Sequence, residues 1–126
     1  MATADCRDWD LESRESDSVL DEGHLARMTL GDRRLEREVL QIFVRQAAMI
    51  VGRLVESERG LIAAAAHTLL GSARGIGAWR VARAAERVER ATSEGSGERL
   101  NAAIAELKTA SLETNAVIGA RLVEKA

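Results

Sequence analysis

The sequence predicts an all-α protein folded as an antiparallel up-and-down four-helix bundle with a short extra N-terminal helix. Three observations support this fold class. The 126 residues contain no proline and are rich in alanine, leucine, arginine and glutamate, which favour helix. Apolar residues recur at spacings of mostly three and four. The connections between these segments are short, so consecutive helices are expected to be antiparallel neighbours within one domain.

Residues 1–16 are predicted to form a flexible N-terminal arm, because they are polar and carry no sustained apolar stripe. Residues 17–126 form the predicted bundle domain. Cys6 lies in the arm and is the single cysteine of the chain, so it cannot form an internal disulfide. We assign it no function.

The first two helices are predicted from start signals and an apolar repeat. Ser18 and Asp21 fit the S-x-x-[DE] capping box, in which the serine accepts the third helical N–H, so a short helix is expected over 18–28. Asp32 follows a glycine and starts a long amphipathic helix, expected over 32–56. The residues of these helices predicted to face the core are Val19, Leu20, Leu25, Leu35, Val39, Ile42, Phe43, Ala47, Ile50 and Leu54.

Three more helices are predicted after a pause at 58–60. The third is expected to end at Gly75 and Gly77, and a flexible turn at 93–97 separates the fourth from the last. Their predicted core stripes are Leu61, Ala65, Leu69, Ser72 and Ile76, then Ala78, Val81, Ala85 and Val88, then Leu100, Ile104, Leu107, Thr114, Val117 and Ile118.

Charge and hydropathy exclude several classes of function. The net charge is -2 with both signs interspersed, so the basic surface needed to bind nucleic acid is not expected. No apolar run approaches the roughly 18 residues needed to cross a bilayer, and we expect a soluble cytoplasmic protein without membrane contact. His24 and His67 have no acid or thiol cluster at ligand spacing, so we expect no metal site. His24 is predicted to be a surface histidine, and Trp79 to pack at one end of the bundle.

His67 is the candidate reactive residue. At about 100° per residue, the predicted stripe places it opposite the core, together with Ala63, Leu70, Gly71 and Arg74. A glycine in mid-helix costs about 1 kcal/mol relative to alanine. Gly71 lies one turn from His67, so the space beside the imidazole is expected to admit something bulky. A neutral imidazole keeps a lone pair on one ring nitrogen and can act as a nucleophile.

Residues 67–77, HTLLGSARGIG, closely resemble the His-x-x-Lys-Gly-Ser-x-x-x-x-Gly signature of histidine-containing phosphotransfer (Hpt) domains of bacterial phosphorelays. The resemblance covers roughly residues 18–120. It implies that His67 takes a phosphoryl group from a phospho-aspartate on one receiver domain and passes it to an aspartate on another. It also implies a stoichiometric carrier rather than an enzyme, without cofactor or metal, that serves response-regulator receiver domains and a hybrid sensor histidine kinase. We expect a monomer, and no ATP-binding loop is present in the sequence.

Leu70 stands where the signature has lysine. We hypothesise that Arg74, on the same helix face two turns after His67, supplies the missing positive charge. An exposed Leu70 would then be an apolar contact for the docking receiver. The docking surface is expected to comprise Ala63, Ala64, Leu70, Arg80 and Arg83.

A row of four arginines on the fourth helix allows two interpretations. It is either a solvated face paired with nearby glutamates or, if its near end flanks His67, a patch that steers an acidic receiver toward the site. The members of this row are Arg80, Arg83, Arg87 and Arg90.

Two further functions stay open at this point. A pseudo-Hpt adaptor would bind a receiver or kinase without being phosphorylated, because the signature lysine is absent. A plain helical interaction module would not need His67 at all. An acid-labile, base-stable phosphoryl group on the chain separates the relay from both.

Overall fold

The protein, described here by a computed structural model, is an all-helical bundle in the described residues, 19–54 and 57–124. The predicted arm at 1–16, Ser18 and residues 55–56 lie outside them. The five helices of the described part are α1 (Glu22–Met28), α2 (Arg33–Leu54), α3 (Arg59–Ile76), α4 (Trp79–Thr92) and α5 (Gly97–Glu124). The largest helix contact joins α3 and α4, followed by that between α4 and α5, and α1 packs on α3. The predicted fold class is confirmed. No helix in the described ranges is long and apolar enough to cross a membrane.

Helix α1 begins later than the sequence predicts and has a different cap. Its first residue is Glu22, and Asp21 is the N-cap, whose carboxylate accepts the His24 N–H at 3.0 Å. The prediction of a start at Ser18 was therefore wrong, because Asp21 lies at the cap itself. Leu20 and Leu25 are buried as predicted.

The buried face of α2 begins with Leu40, which the predicted stripe omits. Leu40, Phe43, Ala47 and Leu54 are buried, whereas Ile42 is 57% exposed. These four buried residues repeat at three, four and seven, so they share one narrow line along the helix. The predicted stripe was too wide. Residues at the edge of the predicted stripe, such as Ile42, face outward.

Helix α3 is rotated about its axis relative to the prediction, by about 70° at 100° per residue. Leu61 is 63% exposed, whereas Leu70 is 6% exposed, the reverse of the expected arrangement. The run of alanines at 63–66 offers little contrast between the faces of this helix. Because α4 makes the largest contact with α3, the buried face turns toward α4 and includes Leu70. The buried residues of α3 are Ile62, Ala66, Leu69, Leu70, Ala73 and Ile76.

The connection between α3 and α4 depends on one glycine. Gly75 remains helical, so the prediction that it ends α3 was wrong, and the helix ends at the left-handed Gly77, with φ of 83°. A Cβ at Gly77 would lie 2.9 Å from Cβ of Asp21. The Gly77 carbonyl accepts the Asp21 N–H at 3.0 Å. Glycine is therefore required by backbone conformation and by the close approach of α1.

The predicted core of α4 is confirmed, and that of α5 is confirmed in most positions. Val81, Ala85 and Val88 are buried on α4. On α5, Ser111 is buried and Val117 is 42% exposed, so the predicted inward position of Val117 was wrong. The buried line of α5 runs through Leu107, Ser111, Thr114 and Ile118 and leaves Val117 to one side.

Arg121 joins the last turns of α5 to the two N-terminal helices, α1 and α2. Its guanidinium donates to Glu22 of α1 at 2.7 Å and to Glu36 of α2 at 2.8 Å. The hydrogen bond to Glu22, followed by that to Glu36, raises the pKa of Arg121 above its ordinary value, although burial opposes the increase. Both Arg121 and Glu36 are largely shielded from water, whereas Glu22 is more exposed.

Candidate functional site

His67 projects from the exposed face of α3, and its side chain is 73% exposed. Its predicted exposure is confirmed. Ala64 and Gly71 are the exposed residues three or four positions from it, and they border the imidazole, while the neighbouring Thr68 is also exposed. A Cβ built at Gly71 would meet no atom within 4 Å. Packing therefore does not require glycine at position 71. The effect of the glycine is that no side chain projects from the surface beside His67.

Glu89 on α4 binds one ring nitrogen of His67. Nδ1 lies 3.1 Å from Oε2 and 3.3 Å from Oε1 of the carboxylate. An ionised carboxylate only accepts hydrogen bonds, so in the neutral ring Nδ1 is the donor and the lone pair is on Nε2. The arrangement leaves Nε2 as the nucleophilic atom.

The sequence does not single out Glu89, because its relationship to His67 is tertiary. The two residues are 22 positions apart on different helices. A usable signal does exist: in an antiparallel pair that turns at Gly77 and Ala78, residues at similar distances before and after the turn lie side by side. His67 and Glu89 satisfy this relation.

Arg74 faces α4 rather than the imidazole. Its guanidinium donates to Glu86 at 3.1 Å, and the other oxygen of Glu86 accepts from Arg90 at 2.8 Å. Arg74 is seven residues from His67, or about 10 Å along the helix axis. Its predicted role as the cation of the site is not tested by this contact.

The predicted docking residues are separated by the fold. Leu70 is buried against α4, so the prediction that it is an exposed apolar contact was wrong; the rotation of α3 is the physical reason. Ala64 is exposed and Ala63 is half-buried. Because α3 and α4 are antiparallel, Arg80 and Arg83 lie about 13 and 9 Å along α4 from Glu89, at the far end from His67. Arg80 donates to Glu113 of α5 at 3.2 Å.

His24 is part of a structural junction, which corrects its assignment as a surface histidine. It is half-buried, and Nε2 donates to the Arg74 carbonyl at 2.8 Å, satisfying a carbonyl in the last turn of α3. Its ring meets Trp79 edge to face, with centroids 4.9 Å apart. The Trp79 indole N–H donates to Asp21 at 2.9 Å, and Trp79 is half-buried at the end of the bundle.

No group of three or more His, Cys, Asp or Glu residues in ranges 19–54 and 57–124 is arranged to hold a metal ion. The site itself offers the imidazole of His67 and the carboxylate of Glu89 beside it. Nε2 of His67 is an exposed nucleophile, the ring proton is held on Nδ1, and no side chain at Gly71 obstructs the approach. This arrangement is suited to attack on an electrophile carried by another protein.

Comparison with known proteins identifies the family. The family model of the Hpt domain matches residues 38–114, more than half of the chain. The fold is similar to the X-ray structure of a histidine-containing phosphotransfer protein from rice, with a TM-score of 0.74 and 20% identity, covering 97% of this chain and 94% of that chain. No curated protein sequence matches. The chain belongs to the Hpt domain family and functions in histidine phosphotransfer within a phosphorelay.

Proposed function

We propose that His67 is the phosphoacceptor and that the protein relays a phosphoryl group between receiver-domain aspartates through Nε2. The observation that supports this assignment is an exposed imidazole whose Nδ1 is bound by Glu89 and whose flank is bare at Gly71. The Nε2 lone pair attacks the phosphorus of an aspartyl phosphate. The P–O bond breaks, and the electron pair leaves on the aspartate carboxylate. The reverse reaction, with a second receiver, discharges the protein.

The partner surface in this proposal is the exposed face of α3 around His67. Ala64, Thr68 and Gly71 have small side chains or none, so a receiver can bring its aspartyl phosphate close to the imidazole. Leu70 contributes to the core beneath this face. Receiver domains are the general partner class, and a hybrid kinase as donor, a monomeric state and a cytoplasmic location remain predictions.

Arg74 is the cation that we propose for the incoming phosphoryl group. It stands on the same side of α3 as His67, and its ion pair with Glu86 is exposed, with 48% of the arginine side chain accessible. Exposed ion pairs contribute about 1 kcal/mol or less, so the guanidinium is able to exchange Glu86 for a phosphoryl oxygen. Glu86 would keep its contact with Arg90. Through this exchange, Arg74 would supply the positive charge that the signature lysine provides and that Leu70, at the lysine position, does not.

The proposed activity is that of a stoichiometric carrier that is loaded by another protein and not by ATP. The test incubates the full chain with a panel of radiolabelled phospho-receivers, and separately with ATP alone. We expect an acid-labile, base-stable label from one or more receivers and none from ATP.

His67→Gln should abolish this label, and His24→Gln is the matched control because that histidine is bound within the fold. Labelling of the His67→Gln variant at the native level would refute the assignment. A folded native chain that binds phospho-receivers and stays unlabelled would instead establish the pseudo-Hpt adaptor, which no contact described above favours.

A further inference from the structure

We infer that the groove between α4 and α5 binds an acidic segment of this chain's own N-terminal region, residues 8–12, which lie outside the described residues. The segment reads DWDLE. Its binding is intramolecular and does not depend on the chemistry of His67, so the inference goes beyond the proposed function. It gives a role to the arginine row of α4, to which the proposed function assigns none.

The groove follows the line along which α4 and α5 pack together. Its first part has a volume of about 450 Å³, and a second part of about 370 Å³ continues it past the Arg87–Glu106 pair. The alanines that line the two parts are Ala84, Ala91, Ala102, Ala103, Ala105 and Ala110. A cavity of about 150 Å³ is enough to hold a benzene ring, so either part of the groove accepts an aromatic side chain.

Arginines stand along the rim of the groove, and their ion pairs are exposed. Arg80 pairs with Glu113 at 3.2 Å, and Arg87 pairs with Glu106 at 3.0 Å. Arg90 lines the second part, and its side chain is 68% exposed. Exposed pairs of this kind contribute little to stability. A guanidinium of the rim is therefore able to bind a second carboxylate through its remaining N–H groups.

The N-terminal region and the rest of the chain have opposite charges. The net charge of residues 1–18 is -4, and since the whole chain has -2, residues 19–126 carry +2. Within α4, four arginines outweigh two glutamates. Electrostatic attraction therefore favours contact between the acidic region and α4. The charged residues of the region are the acids Asp5, Asp8, Asp10, Glu12, Glu15 and Asp17 and the arginines Arg7 and Arg14.

The chain enters the described part beside the start of α4. Asp21 donates its N–H to the Gly77 carbonyl at 3.0 Å, and its carboxylate accepts from the indole of Trp79, the first residue of α4. Trp9 lies 10 residues before the described part begins, and ten extended residues span about 33 Å. The 14 residues of α4 extend over about 21 Å. Trp9 can therefore reach either part of the groove.

The alternation of acids and apolar residues in DWDLE matches a groove with an alanine floor and a charged rim. In an extended segment, Trp9 and Leu11 share one side and the acids share the other. The apolar side packs on the alanines, and the acids bind the arginines of the rim. A tryptophan ring between Arg80 and Arg87 adds cation–π contacts. Because a tethered segment is present at a millimolar effective concentration, weak contacts are sufficient.

Cys6, the single cysteine of the chain, allows a direct test in the full chain. A nitroxide spin label on Cys6 broadens the NMR signals of nearby nuclei, and this effect falls steeply with distance. We expect the amide signals of Ala105 and Thr109, which line the groove, to broaden most. Those of Ile42 and Met49, exposed on α2, should stay sharp. Broadening that does not favour the groove, or that is strongest on α2, would overturn the inference.

Two substitutions on α5 test the groove itself. Ala105→Glu places a larger, negatively charged side chain in the groove and should abolish the broadening of Thr109. Ala116→Glu makes the same change at an exposed position that does not line either part of the groove, and it should leave the broadening at the native level. If the two variants broaden equally, the groove is not the binding site.

Mixing experiments distinguish this occupant from others. Spin-labelled chain at natural isotopic abundance is added to ¹⁵N-labelled Cys6→Ser chain. Sharp signals from Thr109 support the intramolecular contact, whereas broadened ones would show that a second copy supplies the segment and would overturn it. Groove signals that shift on addition of a receiver, with no broadening from Cys6, would assign the groove to that partner instead. A failure of phosphoryl transfer at His67 would leave these measurements unchanged.

Discussion

Asp21 and Trp79, 58 residues apart in sequence, are joined by a 2.9 Å hydrogen bond from the indole N–H to one carboxylate oxygen. The other oxygen caps α1 through the His24 N–H. One side chain therefore fixes the start of α1 and attaches it to the start of α4. The junction lies next to Arg74, whose carbonyl it reaches through His24.

The two functions of Asp21 can be separated by substitution. Asp21→Asn keeps an oxygen for the cap but not a second acceptor for Trp79, and should lower the free energy of unfolding by about 1 kcal/mol. Asp21→Ala loses both contacts and should lower it by about 2 kcal/mol. Urea denaturation measures both. In a Trp79→Phe background the Asn substitution should become nearly neutral, and an undiminished effect there would contradict this division.

Gly71 and Gly77 should respond oppositely to alanine. Gly77→Ala forces a Cβ into a left-handed residue and toward Asp21, and should destabilise the fold by about 3 kcal/mol. Gly71→Ala adds a methyl group to open space in a helix and should stabilise by about 0.5–1 kcal/mol.

A larger side chain at position 71 should separate stability from function. Gly71→Leu should retain or increase the melting temperature and slow transfer from a phospho-receiver by about tenfold or more, because the approach to His67 is obstructed. Thermal melts and transfer time courses on the same preparations measure the two effects. Native transfer rates in this variant would show that the bare flank is not needed.

Arg74→Ala should slow phosphoryl transfer by about tenfold while changing the free energy of unfolding by less than about 1 kcal/mol. Arg90→Ala is the control, since Arg90 pairs with the same glutamate. Its transfer rate should stay near the native value. If the two variants transfer equally fast, Arg74 does not provide the missing positive charge.

Arg121→Met should lower the free energy of unfolding by about 2–3 kcal/mol, because it removes the cation that pairs with Glu36, a carboxylate shielded from water. Glu22→Gln should cost about 1 kcal/mol or less, since Glu22 is the more exposed acid.

How the stabilisation by Arg121 depends on pH follows from the direction in which folding shifts the pKa of this residue. The pKa of Arg121 is raised in the folded state. The stabilisation that its charge contributes is therefore fully present at any pH below the pKa of Arg121 in the unfolded chain. It is lost only as the pH rises through the pKa of Arg121 in the folded protein. The contribution of arginine ionisation should therefore be constant between about pH 6 and 9. Denaturation curves of native protein and variant across this range measure it, and a loss near pH 8 would contradict the assignment.

The sequence predicts the helices and the exposure of His67 better than it predicts the rotation of a helix about its axis. Val81, Ala85 and Val88 alternate with arginines on α4, and this strong contrast gives the correct buried face. The alanines at 63–66 of α3 have no such contrast, so the position of Leu70 was decided by packing against α4.

Contacts between distant residues account for what the sequence leaves out. His24 resembles an ordinary surface residue until the Arg74 carbonyl and Trp79 are placed beside it. Glu89 resembles one member of a charged helix face until α4 folds back along α3. In both cases the side chain acquires its role from a partner that helical periodicity does not report.

The Arg121 cluster has a consequence for how the molecule opens. Through Arg121, it connects α1 and α2 to the final turns of α5. The first and the last helix of the described chain are therefore held by the same ion pairs. Amide hydrogens in α1 and in the last turns of α5 should therefore exchange with solvent in a single cooperative event rather than by independent fraying.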